Sequence, residues 1–181
     1  VDPVSGVDAD NRGGARQAVE HLIGLGRRRI ATVTGPQDMR VGVDRLGGYR
    51  DALATAGLPE LVSVGDFSEE SGERGMRELL AREPGLDAVF TASDPMAVGA
   101  MRVLKEHDLR IPGDVALVGF DDSATARHTD PPLTSVHQPL EAMGREMARL
   151  LVARIRGEPI ENSMVILDTH LVTRASSCTP H

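Results

Sequence analysis

Between Asn11 and Leu25 the apolar residues Ala15, Ala18, Val19, Leu22 and Ile23 recur every three or four positions, and Gly26 follows as a stop. The spacing predicts a helix. The next apolar run, Ile30 to Thr34, is short, β-branched and closed by Gly35-Pro36, which predicts a buried strand. The alternation continues with a helix from Val43 to Ala56, a strand from Leu61 to Val64, a helix from Glu69 to Arg82, a strand from Asp87 to Thr91, a helix from Pro95 to His107 and a strand from Val115 to Gly119. Strands alternating with helices of this length connect by right-handed crossovers, so the pattern predicts an α/β fold with a doubly wound, mostly parallel sheet covered on both faces.

After Phe120 the rhythm changes. A polar loop runs through Asp130, Pro131-Pro132 stiffens the chain, and a short strand is expected from Leu133 to Val136. A long amphipathic helix from Leu140 to Arg156 follows, striped by Met143, Met147, Leu150, Leu151 and Ile155, and its methionines read as packing residues. Two strand candidates, Val165 to Leu167 and Leu171-Val172, come after Gly157 and Pro159.

Composition narrows the classes of function. The 181 residues suffice for one good-sized domain, or one domain carrying parts of another. No stretch approaches the roughly 20 apolar residues of a membrane span, and no membrane partner is expected. The net charge of -7 argues against an extended phosphate-binding surface, so this segment is not expected to bind DNA by itself. Arg27-Arg28-Arg29 lies just past the first helix, where cations favour the C-terminal end. The single Cys178 cannot form an internal disulfide, and the six His are scattered without metal-ligand spacing. The sequence contains no nucleophile elbow, Walker-type loop or Gly-x-Gly-x-x-Gly after a strand, and adjacent residues such as Asp121-Asp122 seldom aim at one glycosidic bond, with no separate acid marked. Binding rather than catalysis is expected, with no cofactor and no metal.

In open parallel sheets ligands bind beyond the carboxyl ends of the strands. The residues at those places are Asp38, Met39 and Arg40 with Arg45 in the following helix; Asp66 and Phe67; Ser93 and Asp94; and Phe120, Asp121 and Asp122. Carboxylates accept from paired hydroxyls, an Arg donates in a planar fork and an aromatic face covers a sugar ring, so the set suits a neutral polyol. Each candidate has a competing structural role. Asp94 precedes Pro95 and suits a helix cap better than ligand contact, Asp122 a loop brace better than ligand contact, and Phe67 the core unless it faces a cleft, while Arg45 is equally suited to pair with Asp44 or Asp121 as structure.

The order and spacing of several motifs resemble the LacI/GalR regulators over nearly the whole chain. They are Glu20-His21-Leu22-Ile23-Gly24-Leu25-Gly26, Arg45-Leu46-Gly47-Gly48-Tyr49, Ser93-Asp94-Pro95-Met96-Ala97-Val98-Gly99-Ala100, Ile111-Pro112-Gly113-Asp114-Val115 with Gly119-Phe120-Asp121-Asp122, Pro131 to Pro139, and Leu171 to Ser177. The resemblance implies a two-lobed, periplasmic-binding-protein-like sensor that holds a small-molecule effector in an interlobe cleft, forms a homodimer and meets DNA through a separate headpiece. By position, residues 1–9 would cross from the first lobe, 10–136 form the second lobe, 137–160 make the hinge crossing and the first lobe's returning helix, and 161–181 finish the second lobe. The headpiece and the early first lobe are expected to be absent, which would leave the first lobe incomplete and its returning helix packed on itself, on the second lobe or on a neighbouring molecule. Arg45, Phe67, Ser93 and Asp121 match effector-contacting places of the family. Met39 falls where purine-binding members carry an Arg, which favours a sugar, and the helix after Pro95 with the loop from Thr125 to Asp130 would form the dimer face. The resemblance also implies a cytoplasmic protein. The rival readings are a periplasmic sugar-binding protein serving a transporter and an enzyme on the same kind of sheet.

Overall fold

The structure, a computed structural model, describes residues 6–159 and 164–178. Its strands are β1 (Gly6–Ala9), β2 (Ile30–Thr34), β3 (Val62–Val64), β4 (Ala88–Thr91), β5 (Ala116–Asp121), β6 (Thr134–His137), β7 (Met164–Leu167) and β8 (His170–Val172). The helices are α1 (Asn11–Gly24), α2 (Arg40–Ala56), α3 (Glu69–Arg82), α4 (Asp94–Glu106), α5 (Ala124–His128) and α6 (Leu140–Ile155). Six strands form one sheet in the order β3-β2-β4-β5-β6-β8, parallel except for the β6–β8 pair.

Residue alternation along the strands divides the core between two faces. Ala31, Val33, Val89 and Leu117 point toward α3 and α4, whereas Ile30, Phe90, Val118 and Phe120 point toward α1 and α2. The α3–α4 contact is close enough to exclude any side chain at Gly72, where a Cβ would lie 2.2 Å from the Met96 carbonyl oxygen. Arg28 Nη1 donates to the Ile23 carbonyl at the C-terminal end of α1, the role that its position in sequence suggests.

The predicted elements form, with four differences. Helix α2 begins at Arg40, three residues before its apolar periodicity starts, because a first turn needs no buried face. Helix α5 occupies what the sequence presents as a polar loop; at five residues it is too short to show a period. Segment 6–9 forms a strand that pairs in parallel with β7, making a separate two-stranded sheet on which α6 packs. The returning helix therefore rests on β1 and not on itself, with Leu150 and Ala153 buried and Met147, Leu151 and Ile155 exposed. The assignment of 161–181 to a single lobe is corrected accordingly: β7 belongs with β1, and only β8 and the residues after it join the large sheet. Residues 1–5, 160–163 and 179–181 of the expected segments lie outside the described residues.

The two sheets are joined at three adjacent crossings. Asp10 N–H donates to the Leu167 carbonyl at 2.8 Å and the Thr169 hydroxyl to the Asp10 carbonyl at 3.2 Å, which ties the first crossing to the last. His137 and His170, opposite each other in the β6–β8 pair, place their rings 4.8 Å apart and tie the last to the middle one. The final segment seals the other end of the sheet: Leu117 N–H donates to the Ser176 carbonyl, and the Ser176 hydroxyl donates to the Leu117 carbonyl at 2.6 Å.

Candidate ligand cleft

The carboxyl ends of β2 to β5 converge on a cleft of about 250 Å³ lined by Val41, Arg45, Phe67, Ser93, Pro95 and Asp121. Of the strand-end candidates, Arg45, Phe67, Ser93 and Asp121 thus share one wall. Helix α2 carries Arg45, whose side chain is almost fully buried. Its guanidinium carbon lies 3.6 Å from the centre of the Phe120 ring and 5.8 Å from that of Phe67. Nε donates to Asn11 Oδ1 at 2.9 Å, and Nη1 donates to the Ala92 carbonyl at 2.5 Å and to Asp121 Oδ1 at 3.4 Å. Among the described residues Nη2 has no protein acceptor. Burial pushes the guanidinium down to about 10, against the opposing pull of the Asp121 carboxylate.

Asp121 ends β5 with φ 114, and Phe67 follows β3 with φ 72. Non-glycine residues with positive φ cost of order 1–3 kcal/mol each and persist where the surroundings over-determine them. Here two such residues line one cleft. The Phe67 ring is pressed against Gly35, where a Cβ would lie 2.3 Å from its Cζ. Asp121 Oδ1 is held by the side-chain amide of Gln138 at 2.5 Å as well as by Arg45, while Oδ2 receives no donor among the described residues. Burial raises the Asp121 carboxyl above its ordinary range, and Arg45 opposes that rise.

Ser93 lines the cleft but is committed locally. Its hydroxyl accepts from Met96 N–H at 3.4 Å, capping α4, and donates to the Phe67 carbonyl at 3.3 Å. Asp94, a candidate ligand residue in sequence, is turned away from the cleft. Fully buried, it accepts from the Ser135 hydroxyl at 2.6 Å and from Ser123 N–H at 2.8 Å, so both its oxygens brace β6 and the loop after β5. Nor does it cap α4, since Ser93 does. Met39 stands half-exposed at the start of α2 and is not part of the cleft wall. Asp38, Arg40 and Asp66 are exposed, and Asp122 braces its loop between Arg174 Nη2 at 2.6 Å and His137 Nδ1 at 3.0 Å. Sequence reasoning missed Asn11, Gln138, Val41 and Pro95. Gln138 directly follows β6 and the strand-end rule would have found it, whereas nothing in the spacing marks Asn11. Among the described residues no three His, Cys, Asp or Glu are grouped to hold a metal.

With this geometry in place, residues 19–177 match the family described as the periplasmic binding protein-like domain. The chain belongs to that family. Within it, this periplasmic binding protein-like domain is of the LacI type. It is 58% identical over 176 residues to the HTH-type transcriptional regulator CelR of Thermobifida fusca, covering 96% of this chain and 52% of that protein. A solved structure described as a CelR–cellobiose complex superposes with a TM-score of 0.95 at 57% identity, over 97% of this chain and 55% of the other. The lac repressor dimer bound to operator superposes with a TM-score of 0.90 at 30% identity, over 97% and 61% respectively. The chain therefore spans about half the length of the curated relatives it matches.

Proposed function

We propose that this domain is the effector-sensing and dimer-forming part of a LacI-type transcriptional regulator and that it binds a neutral sugar at the Arg45–Asp121 wall. The observation that carries the reading is a free donor beside a free acceptor: among the described residues Arg45 Nη2 and Asp121 Oδ2 are both left without protein partners, in a cleft where every other polar atom of the pair is engaged. A vicinal diol presents the matching acceptor and donor, and the Phe67 ring supplies an apolar face. The guanidinium and carboxylate charges offset each other, so a neutral ligand leaves no buried charge unpaired, whereas a phosphate brings one. The CelR–cellobiose complex supports a glucose disaccharide as the first probe.

In this reading the remainder of the sensor supplies the opposite wall of the cleft and a separate headpiece meets DNA. The dimer face is the groove between α4 and α5, about 600 Å³, lined by the apolar Val98, Met101 and Ala124 together with Lys105 and Asp130; the dimeric lac repressor supports it. Relatives named as regulators favour this role over a transporter component and over an enzyme, and with it a cytoplasmic protein. Among the described residues no helix is long and apolar enough to cross a membrane.

The test is a thermal-shift and calorimetric screen of the protein against cellobiose, galactose, sugar phosphates and purines. A ligand at 100 times its Kd stabilises the fold by about 2.7 kcal/mol. A neutral-sugar response that Asp121→Ala removes is the expected result. Silence toward every neutral sugar, with a response to a purine or phosphate, overturns the ligand assignment.

A further inference from the structure

Asn11 lies outside the cleft wall, yet every polar atom of its side chain is used on an axis that ends in the cleft. It is 97% buried, being only 3% exposed, at the first position of α1. Oδ1 accepts from Arg45 Nε at 2.9 Å, while Nδ2 donates to Asp8 Oδ1 at 3.0 Å and to the Ala9 carbonyl at 3.1 Å. Asp8 and Ala9 belong to β1, the strand of the small sheet.

The guanidinium of Arg45 is a rigid plane, and three contacts set its orientation: the Phe120 ring beneath it, the Ala92 carbonyl at Nη1, and Asn11 at Nε. Stacking fixes the plane but leaves rotation within it. The Asn11 bond on the far side from Nη1 removes that rotation, and Nη2 is thereby aimed. We propose that Asn11 is a positioning residue that makes the aim of the Arg45 Nη2 donor depend on where β1 sits, so that displacement of the small sheet is read in the cleft as a change of affinity.

The side-chain chemistry singles out Asn for this place. An Asp would still accept from Nε but would set a second carboxylate against Asp8 and lose both donors. A Ser or Ala would not span the gap. Asp8 also accepts from Ala9 N–H at 2.8 Å, so its carboxylate is fixed before it receives Asn11, and the tether is held at both ends.

The part of this inference that concerns affinity rests on the sugar reading above, and the test separates the two. In ligand-free protein, the Arg45 Nε–H proton is followed by 15N-edited NMR for its exchange with solvent. Asp8→Ala, which removes an acceptor of Asn11 Nδ2 but no hydrogen bond of Arg45, is expected to speed that exchange several-fold where Asp8→Asn, which also removes the charge but keeps an Oδ1 acceptor, does not, and Asn11→Ala to speed it further. Unchanged exchange in Asp8→Ala overturns the link to β1. With cellobiose as the probe, Asn11→Ala is expected to weaken binding on the order of tenfold, the effect of losing one charge-assisted hydrogen bond that orients a ligand-binding group. In an Arg45→Lys background, which has no Nε to orient, the same substitution is expected to have no further effect. An equal loss in both backgrounds assigns Asn11 a general structural role and overturns the proposal. If the parent protein answers to no neutral sugar, the sugar reading fails, and the exchange measurement alone decides the positioning role.

Discussion

Replacing Arg45 by Met should abolish sugar binding at modest cost to the fold. Two sets of effects oppose one another. Burial lowers the guanidinium from its ordinary range to about 10, so at neutral pH the charged side chain is disfavoured in the folded chain by about 3 kcal/mol. The folded value lies below the unfolded one, so this cost is fully present at every pH below about 10 and disappears only above the ordinary guanidinium value. Arg45→Met removes it. In exchange, the Ala92 carbonyl and Asn11 Oδ1 lose their donors, about 1–3 kcal/mol each. Asp121 loses a cation but keeps Gln138 and remains 29% exposed, so its charge is not stranded in the core. The stack on Phe120 is replaced in part by a methionine sulfur over the same ring. The balance is a destabilisation of no more than about 3 kcal/mol, to be measured by urea denaturation with an unchanged m-value. Calorimetry with cellobiose should register no binding. A loss of stability beyond about 5 kcal/mol, or retained affinity, would refute the view that this cation is held for the ligand and not for the fold.

Gly35→Ala should weaken sugar binding with little loss of stability, because the new methyl, 2.3 Å from Phe67 Cζ, must push the ring by about 1 Å and into the cleft; titration of the purified variant checks it. Asp94→Ala should cost about 3 kcal/mol in chemical denaturation, since Ser123 N–H then has no acceptor and the hydroxyls of Ser123 and Ser135 lose theirs. The Asp121 carboxyl is raised in the folded chain, so it contributes stability fully below its unfolded value of 3.8 and loses that contribution as pH rises through the raised value; Asp121→Asn should remove this slope from the difference in melting curves recorded between pH 3 and 7. Val98→Arg should convert the proposed dimer into monomers in sedimentation analysis, and a dimer that survives would place the contact elsewhere.

The large sheet was legible because each strand and helix carries its own periodicity, and the cleft because strand ends in a parallel sheet face one rim. What could not be read has physical reasons. The β1–β7 pair joins segments from opposite ends of the chain, and β7 alternates only weakly between exposed and half-buried positions, so neither strand announces its partner. The sequence Ser93-Asp94-Pro95 permits either acidic or hydroxyl capping; the choice of Ser93 follows from Asp94 being drawn inward by Ser135, a residue of another strand. Asn11 at a helix start looks like any polar first-turn residue, and its partner Arg45 is adjacent only after α1 and α2 have packed.

The three stapled crossings also bear on how the chain is made. The first described strand finds its partner in β7, and β8 takes the last place in the large sheet, so neither sheet can close until the Met164 to Val172 segment has left the ribosome. Such long-range pairing slows folding, because loop closure must be paid for before the contacts form. During synthesis the parallel core from β2 to β5 can assemble first, leaving β6 as an open edge until the Leu171 to Ser176 segment arrives to cover it. In that interval an unpaired edge strand is exposed to neighbouring nascent chains, so the Leu171 to Ser176 segment is the one that protects this domain from aggregation.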